Sequence, residues 1–167
     1  MIPIIIDVEA SGFGSASYPI EVGLVMPSGH RHSMLIKPAE DWTHWEESAE
    51  AVHGISRQTL QQYGRPVREV AQVLNDLLAE QSTYSDGWVV DKPWMTRLFQ
   101  SAGLAMQFRL SPLEQLMSEA QIERWDAVKQ QVLSEHRESR HRASYDAWII
   151  QKTFLRSCES GDRSKEA

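Results

Sequence analysis

The chain opens on an apolar run, Pro3 to Ile6, that passes into the alternation Asp7-Val8-Glu9. Such a run is too short to cross a membrane and too apolar for a sheet edge, so it predicts a central strand over residues 3–8, buried on both faces. Pro19 to Met26 and His32 to Lys37 flank Pro27-Ser28-Gly29, which is turn chemistry, and predict a hairpin. The stretch through Trp42 and Trp45 has no period and reads as irregular. Ser56 offers an N-cap to a short helix over Arg57 to Gln62. Val67, Val70, Val73, Leu74, Leu77 and Leu78 recur at helical spacing behind a proline and predict a core-facing helix from Pro66 to Gln81. A short strand at Thr83 to Ser85 follows, then a helix beginning at Asp91 and running through Trp94, Leu98 and Phe99. Beyond it the pattern predicts a strand at Met106 to Leu110 and helices over Pro112 to Glu119 and Ile122 to His136. The last helix, Asp146 to Leu155, turns Ala147, Ile150, Phe154 and Leu155 to one face. Strands first and alternating elements afterwards imply a mixed sheet covered by helices.

Candidate chemistry gathers at the two ends of this pattern. Side chains alternate across a strand, so Asp7 and Glu9 share a face and can hold divalent cations together. A central strand is a rigid base, which two-metal phosphoryl chemistry requires, with ions about 3.5–4 Å apart clamping the attacking and leaving oxygens. Hard cations for such work prefer oxygen ligands. The plainer alternative is that the pair merely caps a turn. Far downstream, His141 precedes Asp146 by five positions in His141-Arg142-Ala143-Ser144-Tyr145-Asp146. Asp146 lies in the first turns of the last helix and can meet the strand acids across a cleft. For His141 alone, a solvated loop position in the polar run His136 to Arg142 is the simpler reading.

Taken together, these residues resemble the DEDDh group of 3′→5′ exonucleases, to which the polymerase proofreading subunit, ribonuclease T and oligoribonuclease belong. The resemblance covers Ile4 to Gly14, Val52-His53-Gly54-Ile55 with Ser56 to Leu60, and His141-Arg142-Ala143 through Asp146-Ala147. Arg142 stands where a tyrosine-type relative would carry its tyrosine, which favours the histidine subclass. The middle motif reads Asp86-Gly87-Trp88-Val89-Val90-Asp91, and Asp91 matches better by register and by the favourable dipole at a helix start. Asp86 is the competitor. The resemblance implies a ribonuclease H-like three-layer α/β/α fold with a five-stranded mixed sheet. It implies two Mg²⁺ or Mn²⁺ ions held by Asp7, Glu9, Asp91 and Asp146, and release of 5′ mononucleotides from a 3′ end. His141 is then the general base, since imidazole titrates near neutral pH. Substrate contacts are expected from His141, from Ala10, Ser11, Gly12 and Phe13 as main-chain N–H groups and an aromatic face, and from His53 and Ile55. Many relatives carry a threonine in the Ala10 to Gly14 loop, which this chain lacks. Gly54 is expected to take a positive φ or admit a close approach.

Composition narrows the class. The chain has 167 residues, 41% of them hydrophobic, which suits one domain over residues 1–158, with residues 159–167 expected as a disordered polar tail. The sequence has neither a membrane-length apolar stretch nor a basic leader, so a cytoplasmic location is expected. Cys158, the single cysteine, reads as a passive helix residue. A net charge of −6 argues against broad binding of long duplexes and favours short or single-stranded 3′ ends. Arg137, Arg140 and Arg142 flank His141 and are either phosphate ligands or a solvated loop. The six tryptophans are mostly packing, with Trp42 and Trp45 near enough to His53 to contact substrate. Whether the substrate is DNA or RNA turns on one or two contacts to a 2′-hydroxyl, and no heptad decides for or against a homodimer. The rivals are an RNA-trimming exonuclease and a non-catalytic module that grips a nucleic-acid 3′ end.

Overall fold

In the computed structural model, which describes residues 1–136 and 141–162, the apolar N-terminal run becomes strand β1, Ile4–Ala10. It pairs antiparallel with β2, Pro19–Val25, which pairs antiparallel with β3, Arg31–Leu35. The turn between β2 and β3 closes where expected, with Gly29 at φ 84° and the Met26 N–H donating to the His30 carbonyl at 2.8 Å. Strands β4, Ser82–Ser85, and β5, Arg109–Pro112, add in parallel on the other side, so the sheet order is β3-β2-β1-β4-β5. β1 is thus central. The helices are α1 (Glu47–His53), α2 (Arg57–Tyr63), α3 (Val67–Leu78), α4 (Trp88–Ala102), α5 (Glu119–Glu135) and α6 (Ala143–Asp162), with one 3-10 turn at Leu113–Leu116.

Alternation along β1 sorts the layers. Ile4, Ile6, Val8 and Ala10 enter the main core with Val70 and Leu74 of α3 and Met95 and Leu98 of α4. Ile5 enters a second core with Ala147, Ile150 and Phe154 of α6. The expected three-layer α/β/α arrangement over a five-stranded mixed sheet is what forms, and Asp7 and Glu9 fall on the α6 side with Ile5.

Several element boundaries differ from expectation for identifiable reasons. The stretch read as irregular contains α1, a helix that buries only His53 and therefore shows no apolar stripe. α4 begins three residues before Asp91 and continues through Pro93. The strand expected at Met106 to Leu110 starts at Arg109, because Asn75 of α3 holds the Ala105 carbonyl and the Gln107 N–H at 2.9 Å each, drawing that segment away from the sheet. The helix expected over Pro112 to Glu119 is only the end of β5 and the 3-10 turn. Ser118 and Gln121 form a capping box that starts α5 there instead. The last helix starts at Ala143 and runs to Asp162. Arg137 and Arg140, and residues 163–167 of the expected tail, lie outside the described residues. Among the described residues no helix is long and apolar enough to cross a membrane.

Candidate active site

Asp7 and Glu9 leave the same face of β1 near its C-terminal end, and Asp146 comes from the first turn of α6. One carboxylate oxygen from each lies within 4.8 Å of the other two. Two residues of β2 bring α6 this close. Gly23 is the ladder partner of Asp7, and a Cβ there would stand 2.0 Å from the Ser144 nitrogen and 2.1 Å from the Ala143 carbonyl carbon. Only a residue without a side chain lets the helix rest on the strand at that point. Glu21, the ladder partner of Glu9, is fully buried. Its carboxylate accepts the Ala143 N–H at 3.2 Å, the Ser33 hydroxyl at 2.6 Å and the Arg142 guanidinium at 2.8 Å from Nη2. The Arg142 Nε also donates to both Glu21 oxygens at 3.1 Å. Sequence reasoning missed both β2 residues. Their signal was a single acid and a single glycine inside the otherwise apolar Pro-Ile-Glu-Val-Gly-Leu-Val. Arg142, expected as a free phosphate ligand or a solvated loop cation, is instead an anchor of α6.

Asp91 sits inside the first turn of α4 at 3% exposure, and its carboxylate accepts the hydroxyl of Ser85 at the end of β4. It lines the same cleft as Asp7, Glu9 and Asp146 without joining their close trio. Asp86 does not line that cleft and pairs with Lys129 of α5 at 2.6 Å. Desolvation pushes the Asp7 carboxyl well above the usual carboxylate range, and the charges of Asp91, Glu9, Asp146 and Asp86 push it further. Burial, aided by Asp146, Glu21 and Asp91 and opposed by Arg142, raises Glu9 to about 8. Burial raises Asp91 to about 7 against the opposing hydrogen bond from Ser85, with Asp86 adding to the rise. Crowded carboxylates whose own repulsion resists ionisation form an all-oxygen donor set in want of positive charge, and a hard divalent cation such as Mg²⁺ or Mn²⁺ fits it.

The acids floor a cleft of about 430 Å³. Its upper walls are apolar, with Val52, Val90 and Trp94 and with Phe13 standing 69% exposed at the mouth. Ala10 and Gly12 line it too, whereas Ser11 does not. The Ser11 hydroxyl instead contacts His44 Nδ1 at 3.0 Å and accepts the Tyr18 N–H at 3.1 Å. Main-chain donors expected from this loop are in part already engaged, since the Ser11 N–H donates to the Tyr18 carbonyl and the Phe13 N–H to Glu46.

His53 lines the cleft from the end of α1, followed by Gly54 at φ 69° as the helix cap. Its Nδ1 accepts the Ile55 N–H at 3.0 Å, which leaves the proton of the neutral ring on Nε2. That Nε2 is buried near the Ala10 backbone, without a well-formed hydrogen bond among the described residues, and burial lowers the imidazole pKa. Ile55 is part of the main core and does not line the cleft. Ser48 and Ala49 of α1 line the wall as well, and sequence reasoning missed them with the helix that carries them.

His141 stands at φ 65°, an uncommon conformation for a residue with a side chain. It borders a second recess of about 220 Å³ that shares Asp7 and Asp146 with the main cleft. Neither of the two tryptophans weighed as substrate contacts lines the cleft. Trp42 is buried and stacks on Tyr18 at 5.2 Å. Trp45 bonds Glu50 at 2.7 Å and meets His53 edge-on at 6.0 Å. Trp94, not singled out from the sequence as a wall residue, bonds Ser17 at 2.8 Å and faces Phe13 at 6.5 Å.

Solved structures with this fold include exonuclease I, reported as suggesting how processivity is achieved, at TM-score 0.68 and 13% identity over 94% of this chain and 42% of that one. E. coli exonuclease I in complex with a dA16 oligonucleotide aligns at TM-score 0.67 and 12% identity over 92% of this chain and 39% of that one. The zinc-bound E. coli exonuclease I complex with single-stranded DNA aligns at TM-score 0.67 and 12% identity over 96% and 40%. The chain therefore spans about two fifths of the length of these structures, and at such identity the likeness is one of ribonuclease H-like fold. No family profile and no curated protein sequence matches the chain.

Proposed function

We propose that this chain is a metal-dependent 3′→5′ exonuclease that hydrolyses the terminal phosphodiester of single-stranded or short DNA or RNA and releases 5′ mononucleotides. The observation that carries this reading is the close trio of Asp7, Glu9 and Asp146 at the floor of an apolar-walled cleft. An acidic, cation-demanding floor suits a phosphate, and the walls suit a base. Exposed Phe13 offers a stacking face, worth about 1–3 kcal/mol per base in comparable settings. The single-stranded DNA held by the exonuclease I structures of the same fold is in keeping with such a substrate.

In this proposal Asp7, Glu9, Asp91 and Asp146 hold two Mg²⁺ or Mn²⁺ ions, which when bound supply Lewis acidity to the phosphodiester and to the attacking water. Asp91, and not Asp86, is the fourth acid, because it lines the cleft while Asp86 is bound to Lys129. The His53 Nε2–H donates to an oxygen of the terminal nucleotide, giving a buried donor its partner. His141 accepts a proton from the water as its oxygen bonds to phosphorus. The bond from phosphorus to the 3′ oxygen of the preceding nucleotide breaks with its electron pair on that oxygen, which takes a proton from solvent to become the new 3′ hydroxyl, while His141 returns its proton to solvent.

The test is digestion of 5′-labelled single-stranded DNA and RNA oligomers with Mg²⁺ or Mn²⁺, comparing the wild type with Asp7→Asn and His141→Ala. A ladder shortening from the 3′ end, abolished by EDTA and in both variants, is expected. Cleavage of RNA alone would make this an RNA-trimming enzyme. Folded wild-type protein that binds oligomers and cleaves neither would make it a binding module and end the proposal.

A further inference from the structure

The recess behind the acids holds a charge pair that no step above uses. Lys129 reaches from α5 to Asp86, Nζ to Oδ2 at 2.6 Å, in the space bounded by Asp7, His141 and Asp146. Both partners are shielded, with side-chain exposures of 31% and 18%. Leu133 and Ile150 supply an apolar boundary, which strengthens charge interactions inside. Asp7 and Asp146 line both the recess and the cleft, so a phosphoryl group held at these acids borders both spaces. On the recess side it meets either the carboxylate of Asp86 or the ammonium of Lys129. A lysine ammonium carries three donors, and one suffices for Asp86.

Resting on the exonuclease reading, we propose that Lys129 is a phosphate ligand of the site, its ammonium kept on Asp86 in the free protein and transferred in part to a non-bridging oxygen of the scissile phosphate. The contact strengthens as charge builds on phosphorus and persists in the product, whose 5′-phosphate monoester carries more negative charge than the diester. Asp86 is then a competitor for the lysine, and the two residues act on phosphate affinity with opposite signs. A pair that served only to tie α5 to the end of β4 would give both substitutions the same sign, through stability alone.

The opposite signs are read by calorimetric binding of thymidine 5′-monophosphate in the presence of Mg²⁺, alongside oligomer hydrolysis. Lys129→Met keeps the apolar stem, and its melting temperature reports folding. It is expected to weaken mononucleotide binding about 10- to 100-fold, the range for one charged hydrogen bond, and to slow hydrolysis by a similar factor. Asp86→Asn is expected to tighten mononucleotide binding, and to do so less in the Lys129→Met background, since the gain depends on a freed lysine. Unchanged affinity in folded Lys129→Met, with a wild type that binds and cleaves, overturns the role of Lys129. So does an Asp86→Asn gain of equal size in both backgrounds. A folded wild type that neither binds the mononucleotide nor cleaves oligomers overturns the exonuclease reading and this role with it.

Discussion

Glu9 and Asp91 retain their protons to about pH 8 and pH 7 in the folded chain, against the ordinary carboxylate range when unfolded. The native state therefore binds more protons between those limits, and stability falls as pH rises through that window. The melting temperature of the EDTA-treated protein is expected to drop from pH 5 to pH 8.5, and Mg²⁺ to restore it most at the alkaline end. Mg²⁺ at a hundred times its dissociation constant adds about 2.7 kcal/mol, and Asp7→Asn should abolish most of that gain. A metal-free melting temperature that stays level across the window would contradict the crowding of these acids. For His53, loss of one neutral hydrogen bond predicts that His53→Ala raises KM about 3- to 10-fold with a smaller change in kcat. The two acids of β1 and Asp146 were legible in the sequence because strand and helix periods say where such side chains point. Lys129 and Glu21 were not, because nothing local marks a polar residue whose partner lies tens of positions away.

α6 carries an acid to the site only because β2 accepts it closely, and β2 does so through Gly23 and Glu21. Gly23→Ala is expected to push the start of α6 outward, destabilise the fold by about 1–3 kcal/mol and lower metal affinity and activity together. Hydrolysis at wild-type rate by Gly23→Ala would show that the helix start yields without moving Asp146. The capping box at Ser118 predicts a milder loss, about 1 kcal/mol for Ser118→Ala, read as a shift in the denaturation midpoint with activity unchanged. Helices with an apolar stripe, such as α3, were readable from period alone. α1 was not, since it buries one histidine and exposes Val52 at 54%. It is nonetheless the element that walls the cleft, so the part of the site least visible in the sequence sits on the element with the weakest core signal. β5 was misplaced because the Asn75 side chain, from a distant helix, fixes where pairing begins.

For the molecule as a whole, 17 basic residues against 23 acidic ones give a net charge of −6, which opposes broad contact with a polyanion. With Lys129 as the proposed phosphate ligand and Arg142 held by Glu21, the logarithm of affinity for single strands is expected to fall with the logarithm of salt at a slope of about −0.7 per phosphate contact. KM for a single-stranded oligomer should then rise by less than about tenfold between 50 and 200 mM salt. A much steeper dependence would place an extended phosphate track elsewhere on the surface. The layer order and the central place of β1 followed from hydrophobic patterning, because an apolar run at the start of a chain with later helices has few other places to go. The depth and lining of the cleft did not, since they arise where α1, α4 and α6 meet over the ends of β1 and β4.

The acids of the trio come from β1 and α6, so the proposed centre depends on two elements at opposite ends of these 167 residues. A product of synthesis halted before Ala143 already carries the sheet, the apolar walls and three of the acids, yet it lacks Asp146 and the Ala143 N–H that Glu21 accepts. On the proposed reading, hydrolytic capacity waits for α6 to dock on β2, and a nascent chain without that helix would leave nearby nucleic acids uncut.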